Sequence, residues 1–360
     1  MSKGIEIGKH YYMRATDKKL LESSCCGGVV SAVLKYLLEK HIVDTVISIK
    51  RDRILGGEPV FISDPYRVYD VAGAFTIAPI NMAKLLRDYI KPGERVALTL
   101  KPCEAKAVEY LVSRGLFKRD DMVLIGLNCG GLFDPFSLRE SLLGMNIDPK
   151  ELVSIKYMED HIEFILTGNR KIKVNYVEGA RILGYREACR RCGSPVPENV
   201  DIICGYWGLL PGYEKYTYTI PSTSRGAEIL DSMAREGLLE VIEAPRKGVE
   251  LRNKLIEVIK KSAMVTREEE FKELDRIGLE NILSKCLLCL ECWHACPIRS
   301  EKEVLVWKKS VGPVLWQVSI ITYMYDKCVE CGSCEDVCPM KIPFSLIIQR
   351  IKSLREELGV

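Results

Sequence analysis

The sequence predicts an α/β domain, a mixed sheet with flanking helices, over residues 1–265, followed by a small, mostly α-helical, cysteine-rich domain over residues 266–360. Two observations carry this division. Apolar, β-branched segments alternate with segments of helical period as far as Glu236. Near the end, Cys286, Cys289, Cys292 and Cys296 form one run, and Cys328, Cys331, Cys334 and Cys338 another. Each run reads C-x2-C-x2-C-x3-C and is followed by proline, Pro297 or Pro339.

That spacing is the one found in two-cluster bacterial-type ferredoxins, where three thiolates of a run hold one cluster and the fourth ligates the other. The predicted ligand sets are therefore crossed. Cys286, Cys289, Cys292 and Cys338 hold one [4Fe–4S] cluster; Cys328, Cys331, Cys334 and Cys296 hold the second. Structural zinc also takes four thiolates from C-x2-C pairs, but seldom from three evenly spaced cysteines plus a Cys-Pro in duplicate. Disulfides fit short crowded loops less well still. The absence of a secretory pattern points to metal in a reducing, cytoplasmic setting.

Composition narrows the class further. The chain has 360 residues, 47% hydrophobic and 28% charged, with 52 basic against 49 acidic side chains, the balance of a globular protein with about two domains. A net charge of +3 leaves no electrostatic footprint for nucleic acid. No apolar run reaches the ~20 residues of a membrane helix; the nearest, Val311 to Tyr325, contains Gln317 and is expected to pack as a helix between the two clusters.

Within the first domain, a strand is expected over Ile5 to Met13, with Thr16 or Asp17 capping the turn after it. Gly27-Gly28 opens a helix whose apolar positions Val33, Leu34, Leu37 and Leu38 share one face. Such a glycine pair lets backbone N–H groups approach an anion or a flat ring. Strands follow at Val43 to Ile49 and Glu58 to Ser63, then a loop from Gly73 to Asn81 and a helix to Ile90. Arg95 to Leu100 and Asp121 to Asn128 are buried-type strands, each giving way to a helix at a cysteine, Cys103 or Cys129. That is the edge at which open α/β sheets bind ligands. Leu152 to Tyr157, Ile162 to Leu166 and Lys171 to Val174 form an antiparallel patch. Cys189 and Cys192 add a C-x2-C pair which, with Cys103 and Cys129, makes four thiolates, enough for a third [4Fe–4S] cluster.

Strands at Asp201 to Tyr206 and Tyr216 to Ile220 and a helix from Ser224 to Glu236 complete the domain, with Cys204 expected in its core. Glu250 to Lys261 and Arg267 to Leu274 read as a charged helical connector, and Pro343 to Leu358 as a closing helix.

With these residues in view, the first 250 or so positions resemble the beta subunits of coenzyme F420-reducing hydrogenases and their relatives. The resemblance rests on Thr16-Asp17, the Gly27-Gly28-Val29-Val30 helix start, Ile42-Val43-Asp44, Pro102-Cys103, Asn128-Cys129, the Cys189/Cys192 pair and Asp201-Ile202 before Gly205. The tail from Cys328 to Pro343 is similar to the end of the beta subunit of archaeal, deazaflavin-linked formate dehydrogenases. The chain departs from those relatives at Cys26, where they carry a polar or acidic residue, and in a shorter tail.

The resemblance implies a flavin domain in which Cys103, Cys129, Cys189 and Cys192 hold a cluster beside FAD. Gly27, Gly28, Ser31, Thr76, Asn81 and Lys101 are the candidate FAD contacts by position. It implies an oxidoreductase subunit that takes a hydride pair at FAD and passes single electrons through three clusters. The exchangeable carrier is coenzyme F420, with NAD(P) or ferredoxin as alternatives. The partner is a catalytic subunit, a formate dehydrogenase alpha chain or hydrogenase large and small chains, with a heterodisulfide-reductase-like or ferredoxin partner also open. A flavin-free relay subunit is the remaining alternative.

Overall fold

The computed structural model describes residues 4–24, 26–51, 56–73, 80–176, 183–299 and 312–359. The first strand, β1 (Tyr11–Ala15), starts later than the predicted Ile5, because Gly8 turns the chain at φ +75° and pairing begins only at Tyr11. Asp17 caps α1 (Lys18–Ser23) by accepting from the N–H groups of Lys19 and Leu20. Helix α2 (Val29–Glu39) follows a left-handed Gly28 and buries Val33, Leu34, Leu37 and Leu38, the predicted face. Next come β2 (Thr45–Arg51), β3 (Gly57–Ile62), α3 (Met82–Tyr89), β4 (Val96–Leu100), α4 (Pro102–Ser113), β5 (Met122–Leu127) and α5 (Pro135–Gly144).

A separate three-stranded antiparallel sheet, β6 (Leu152–Tyr157), β7 (Ile162–Leu166) and β8 (Lys171–Val174), lies where the patch is predicted. The chain returns through α6 (Glu187–Arg190), β9 (Ile202–Gly205), β10 (Thr217–Pro221), α7 (Ser224–Arg235) and β11 (Leu239–Glu243). Strand β11 was not anticipated. Its short L-E-V-I-E run with two carboxylates belongs to an edge strand, stabilised by pairing to β1 rather than by burial.

The large sheet has the order β11-β1-β10-β9-β5-β4-β2-β3. Its centre, β9-β5-β4-β2, is parallel, and the outer pairings are antiparallel. Every residue of β4 is buried, as expected of a parallel strand covered on both faces. One face packs on α2 and α7 through Val33, Leu37, Ile229 and Leu230. The other packs on α3 and α4.

That second core does not stop at the sheet. It runs on through Phe271 and Leu274 of α8 (Arg246–Ile277) to Leu283 of α9 (Leu279–Leu283), Trp293 of α10 (Glu291–Ala295), Trp316 of α11 (Pro313–Met324) and, beyond α12 (Ser333–Asp336), Ile347 of α13 (Phe344–Leu358). Burying each such side chain contributes roughly 1.5–3 kcal/mol, so the cysteine-rich segment is held to the sheet by the same force that holds the sheet's own helices. Helix α8 is a single element, about 48 Å long, where the sequence pattern suggested two charged stretches; it crosses the expected boundary at 265/266 without a break.

Candidate functional site: a sheet-edge cavity and three thiol sets

A cavity of about 220 Å³ opens at the carboxyl ends of the parallel strands. Ser48 and Ile49 of β2, Thr99 and Lys101 at the end of β4, Leu127, Asn128 and Cys129 after β5, and Cys204 and Gly205 of β9 line it. This is where strand ends in an open α/β sheet leave a crevice. Gly28, at φ +71°, brings the first N–H groups of α2 to its wall, and Ser31 of that helix is buried against it. Tyr157, Tyr206 and Trp207 form an aromatic side.

Two polar features of the cavity bear on what it can hold. The Lys101 ammonium donates to Glu104 at 2.6 Å, both fully buried. Burial opposes its charge, but Glu104 and the nearby Cys103 and Cys129 outweigh it, so it stays protonated above its ordinary value. Glu104 also accepts from the backbone N–H of Met82 at 3.0 Å and of Lys101 at 2.7 Å, so the pair ties α3 to α4. Asn128 differs. Its Oδ1 accepts from the Arg252 guanidinium at 3.1 Å, whereas its buried Nδ2 has no partner. Arg252 is 4% exposed and makes no ion pair among the described residues; burial lowers its pKa. An orphaned donor at a cavity wall, backed by a buried cation, fits an acceptor-rich ring, and a helix start fits a phosphate.

Cys129 belongs to this cavity and also to a set of thiols. Burial pushes Cys129 up to about 12, with Cys189 and Cys192 adding repulsion, and pushes Cys192 up to about 11, with Cys189 adding to it. Cys103 is raised well above its ordinary value by burial, then by Glu104, Cys331 and Cys192. Three segments contribute here: Cys103 in the first turn of α4, Cys129 after β5, and Cys189 and Cys192 on and after α6.

The C-terminal thiols lie around two neighbouring cavities. Burial raises Cys292 to about 12, with further repulsion from Cys286, Cys338 and Cys289. It raises Cys296 to about 12, and there the neighbouring thiol is Cys331. Cys334 is raised well above its ordinary value by burial, and its thiol neighbours are Cys328, Cys331 and Cys296. Cys292, Cys296, Cys328, Cys331 and Cys334 line one cavity of about 50 Å³, and Cys286, Cys289, Cys292 and Cys338 a smaller one, so Cys292 borders both. Helix α11 separates them, with Ile320, Ile321 and Met324 on the first and Trp316 and Gln317 on the second.

The two loops also share a backbone twist. Leu288 and Leu290 in the first, and Glu330 and Gly332 in the second, sit at φ between 56° and 70°, two and four residues after the leading cysteine. This curl turns the N–H of Leu288 to Cys286 Sγ (3.3 Å) and of Glu330 to Cys328 Sγ (3.4 Å). Each left-handed non-glycine residue costs roughly 1–2 kcal/mol, a strain that persists where the surroundings demand it. Among the described residues no three histidine, cysteine or carboxylate side chains form a group fit for a single metal ion; the sulfurs surround cavities instead. Clustered thiols become thiolates together beside a metal cation, and sulfurs around a cavity with N–H donors aimed at them suit an iron–sulfur core.

Of the predicted ring contacts, Gly28, Ser31 and Lys101 line the cavity, while Thr76 lies outside the described residues, as does Cys25. Two further candidates have structural uses of their own. Gly27 packs on the backbone of β1 and β10, where an added Cβ would lie 2.6 Å from Met13 O and Thr217 N, so it serves strand packing. Asn81 accepts from the N–H of Ala83 as the cap of α3 and is not among the cavity-lining residues. Lys101 lines the cavity, but its charge is neutralised by Glu104. Cys204 is buried as expected, yet it borders the cavity. The sequence reading missed Asn128 as a donor and Arg252 altogether. The first stood in plain view beside Cys129; the second lies in a charged helical stretch that gives no sign of burial.

A mixed sheet with a cavity at the ends of its parallel strands, beside clustered thiols and a duplicated cysteine module, defines an iron–sulfur protein of the α/β type. Family models agree in detail. The N-terminal model for the coenzyme F420 hydrogenase/dehydrogenase beta subunit matches residues 10–87, the corresponding C-terminal model residues 93–247, and a 4Fe-4S dicluster domain residues 279–339. The chain is 30% identical to the F420-dependent formate dehydrogenase subunit beta of Methanocaldococcus jannaschii, over 98% of this chain and 95% of that one. It is also 30% identical to F420-dependent formate dehydrogenase 1 subunit beta of Methanococcus maripaludis, over 97% and 94%. A chain in the solved F420-reducing [NiFe] hydrogenase complex of Methanosarcina barkeri shares the fold, with a TM-score of 0.62 at 22% identity over 78% of this chain and 99% of that one. The protein belongs to the coenzyme F420 hydrogenase/dehydrogenase beta subunit family and carries a 4Fe-4S dicluster domain. Among the described residues no helix is long and apolar enough to cross a membrane.

Proposed function

We propose that this chain is the beta subunit through which an F420-linked formate dehydrogenase or hydrogenase moves electrons, with FAD in the sheet-edge cavity and three [4Fe–4S] clusters. Their ligands are Cys103, Cys129, Cys189 and Cys192; Cys296, Cys328, Cys331 and Cys334; and Cys286, Cys289, Cys292 and Cys338. The observation that carries this reading is contiguity. Cys129 borders the cavity, Cys103 lies near Cys331, and Cys292 and Cys296 line one wall together. A bound flavin supplies exchange of a hydride with F420 on one side and of single electrons with iron–sulfur clusters on the other.

The chain's own residues bind and insulate. The start of α2 offers N–H groups to a phosphate, Asn128 offers its free Nδ2 to a ring acceptor, and Tyr157 and Trp207 exclude water from the wall beside Cys129. The Lys101–Glu104 pair is neutral as a unit, so the cavity can accept negative charge without a fixed carboxylate opposing it. Residues 1–265 would carry the flavin and first cluster and residues 266–360 the other two, with α8 as the strut common to both. Cys289 is the exposed thiol of the sets, and its cluster would face the catalytic partner, a formate dehydrogenase alpha chain or hydrogenase chains.

The test is anaerobic purification with its partner, counting iron and flavin, followed by parallel assays with coenzyme F420, NAD(P) and ferredoxin. The expected result is one FAD, about twelve irons, the content of three four-iron clusters, and reduction of F420. Iron without flavin would make the chain a relay, and no reaction with F420 would overturn the carrier.

A further inference from the structure

Arg186 stands between two of the thiol sets and touches both. Its backbone is fixed on either side: its N–H donates to Leu132 O at 2.9 Å, and its carbonyl accepts from Cys189 N at 2.9 Å and Arg190 N at 3.0 Å at the start of α6. The side chain, 7% exposed, forks. Nη1 donates to Cys189 Sγ at 3.4 Å, and Nη2 donates to the carbonyl of Cys331 at 3.1 Å. Nε and Nη2 also pair with the Asp336 carboxylate. The approach is close. Gly332, left-handed at φ +70°, could not carry a Cβ, which would lie 2.2 Å from Ala188 Cβ. The turn that holds Cys189 is thus pressed directly on the loop that holds Cys331.

From this geometry, and resting on the cluster assignment proposed above, we infer that Arg186 is the residue that couples the first cluster to the second and sets their potentials together. A cluster gains one negative charge on reduction, and hydrogen bonds to its sulfurs and nearby charge set its potential. One guanidinium donating to a ligand of one set and to the backbone of a ligand of the next favours the reduced state of both. Both potentials therefore lie higher than they would without it. One electron leaves the Cys189 side and one arrives at the Cys331 side, with no bond formed or broken and no proton moved, because the guanidinium remains charged throughout. Among the described residues Arg186 makes no hydrogen bond to the Cys286, Cys289, Cys292 and Cys338 set, which is the internal reference. Asp336 moderates the effect by opposing the guanidinium's charge.

The test is a redox titration of the intact complex followed by electron paramagnetic resonance, on the wild type and on Arg186→Met, Arg186→Lys and Asp336→Asn. Arg186→Met is expected to lower the midpoint potentials of two clusters together, each by at least tenfold in the reduction equilibrium, or about 59 mV for one electron, and to leave the third in place. Asp336→Asn, which frees the guanidinium from its counter-ion, is expected to raise the same two. Arg186→Lys keeps the charge and is expected to fall between wild type and Arg186→Met. Should Arg186→Met lose iron, the opposite shift in Asp336→Asn and the intermediate shift in Arg186→Lys still decide. Full iron content with unchanged potentials in the variants, or a shift of all three clusters alike, would reduce Arg186 to a structural tie and overturn the inference. A wild type that binds no iron would instead overturn the cluster assignment itself.

Discussion

The C-terminal thiol cavities and the cavity at the sheet edge have walls built by different means. The first two are lined by apolar side chains and sulfur, and their backbones are bent by left-handed residues within loops of about ten residues. Local chain geometry makes the site. The sheet-edge cavity is lined by Ser31, Thr99, Lys101, Glu104 and Asn128, drawn from α2, β4, α4 and the end of β5, and the sheet holds them in register. There, tertiary packing makes the site. A small inorganic core needs sulfur and little else, whereas an organic ring needs separated polar contacts in fixed places. The thiol set of Cys103, Cys129, Cys189 and Cys192 joins the two kinds: it uses sulfur like the first and distant segments like the second.

That joining set is where the comparison breaks most sharply. Cys189→Ser should abolish transfer between the cavity and the C-terminal clusters and lower iron from about twelve to about eight, with the C-terminal resonance signals intact; unchanged iron and transfer would show that no cluster sits there. Next in size is a backbone effect at the cavity rim. Gly131 has φ +117° and an added Cβ would lie 2.0 Å from Tyr185 Oη, so Gly131→Ala should cost about 1–3 kcal/mol. Gly193, with open space around its Cβ position, should tolerate alanine within about 0.5 kcal/mol. Thermal melts of the two variants under identical loading would compare them directly.

A smaller effect tests the polar wall. Asn128→Leu removes the free donor and strands the Arg252 guanidinium, and flavin affinity should fall about tenfold, measured by equilibrium release of FAD. Retention equal to wild type would remove Asn128 from the site. The smallest effect is electrostatic and lies behind the cavity. His10, hydrogen-bonded to Tyr218, has its pKa lowered from 6.5 by burial and by the charge of Arg252. The folded protein then resists protonation more than the unfolded chain does, so this contribution to stability is full above 6.5 and declines as pH falls through 6.5 toward the lower folded value. His10→Gln should flatten that slope in melts taken between pH 7 and pH 5; an unchanged slope would show that His10 does not titrate differently on folding.

The strands β2, β4 and β5 were legible because strands in the parallel centre of the sheet are buried on both faces and read as apolar runs. Helix α2 was legible because its buried face recurs with the helical period. Strand β11 was not, since an edge strand takes its stability from a neighbour's hydrogen bonds, which leave no mark on its own side chains. Asn81 has a use the sequence reading did not name: position in the resemblance suggested a ring contact, and in the structure its side chain caps α3.

What the sequence by itself determined is therefore what depends on neighbours along the chain: the two C-x2-C-x2-C-x3-C loops and the alternation of strand and helix. Only the tertiary structure decided the rest. It placed Cys129 beside both Lys101 and Cys189, buried Arg252 behind Asn128 with no counter-ion among the described residues, and set Arg186 across Cys189 and Cys331. The physical reason is range. Loop curl and periodicity are set over a few residues, whereas a buried charge or a shared thiol acquires its meaning from segments as many as 145 positions apart, brought together by burial that no single segment encodes.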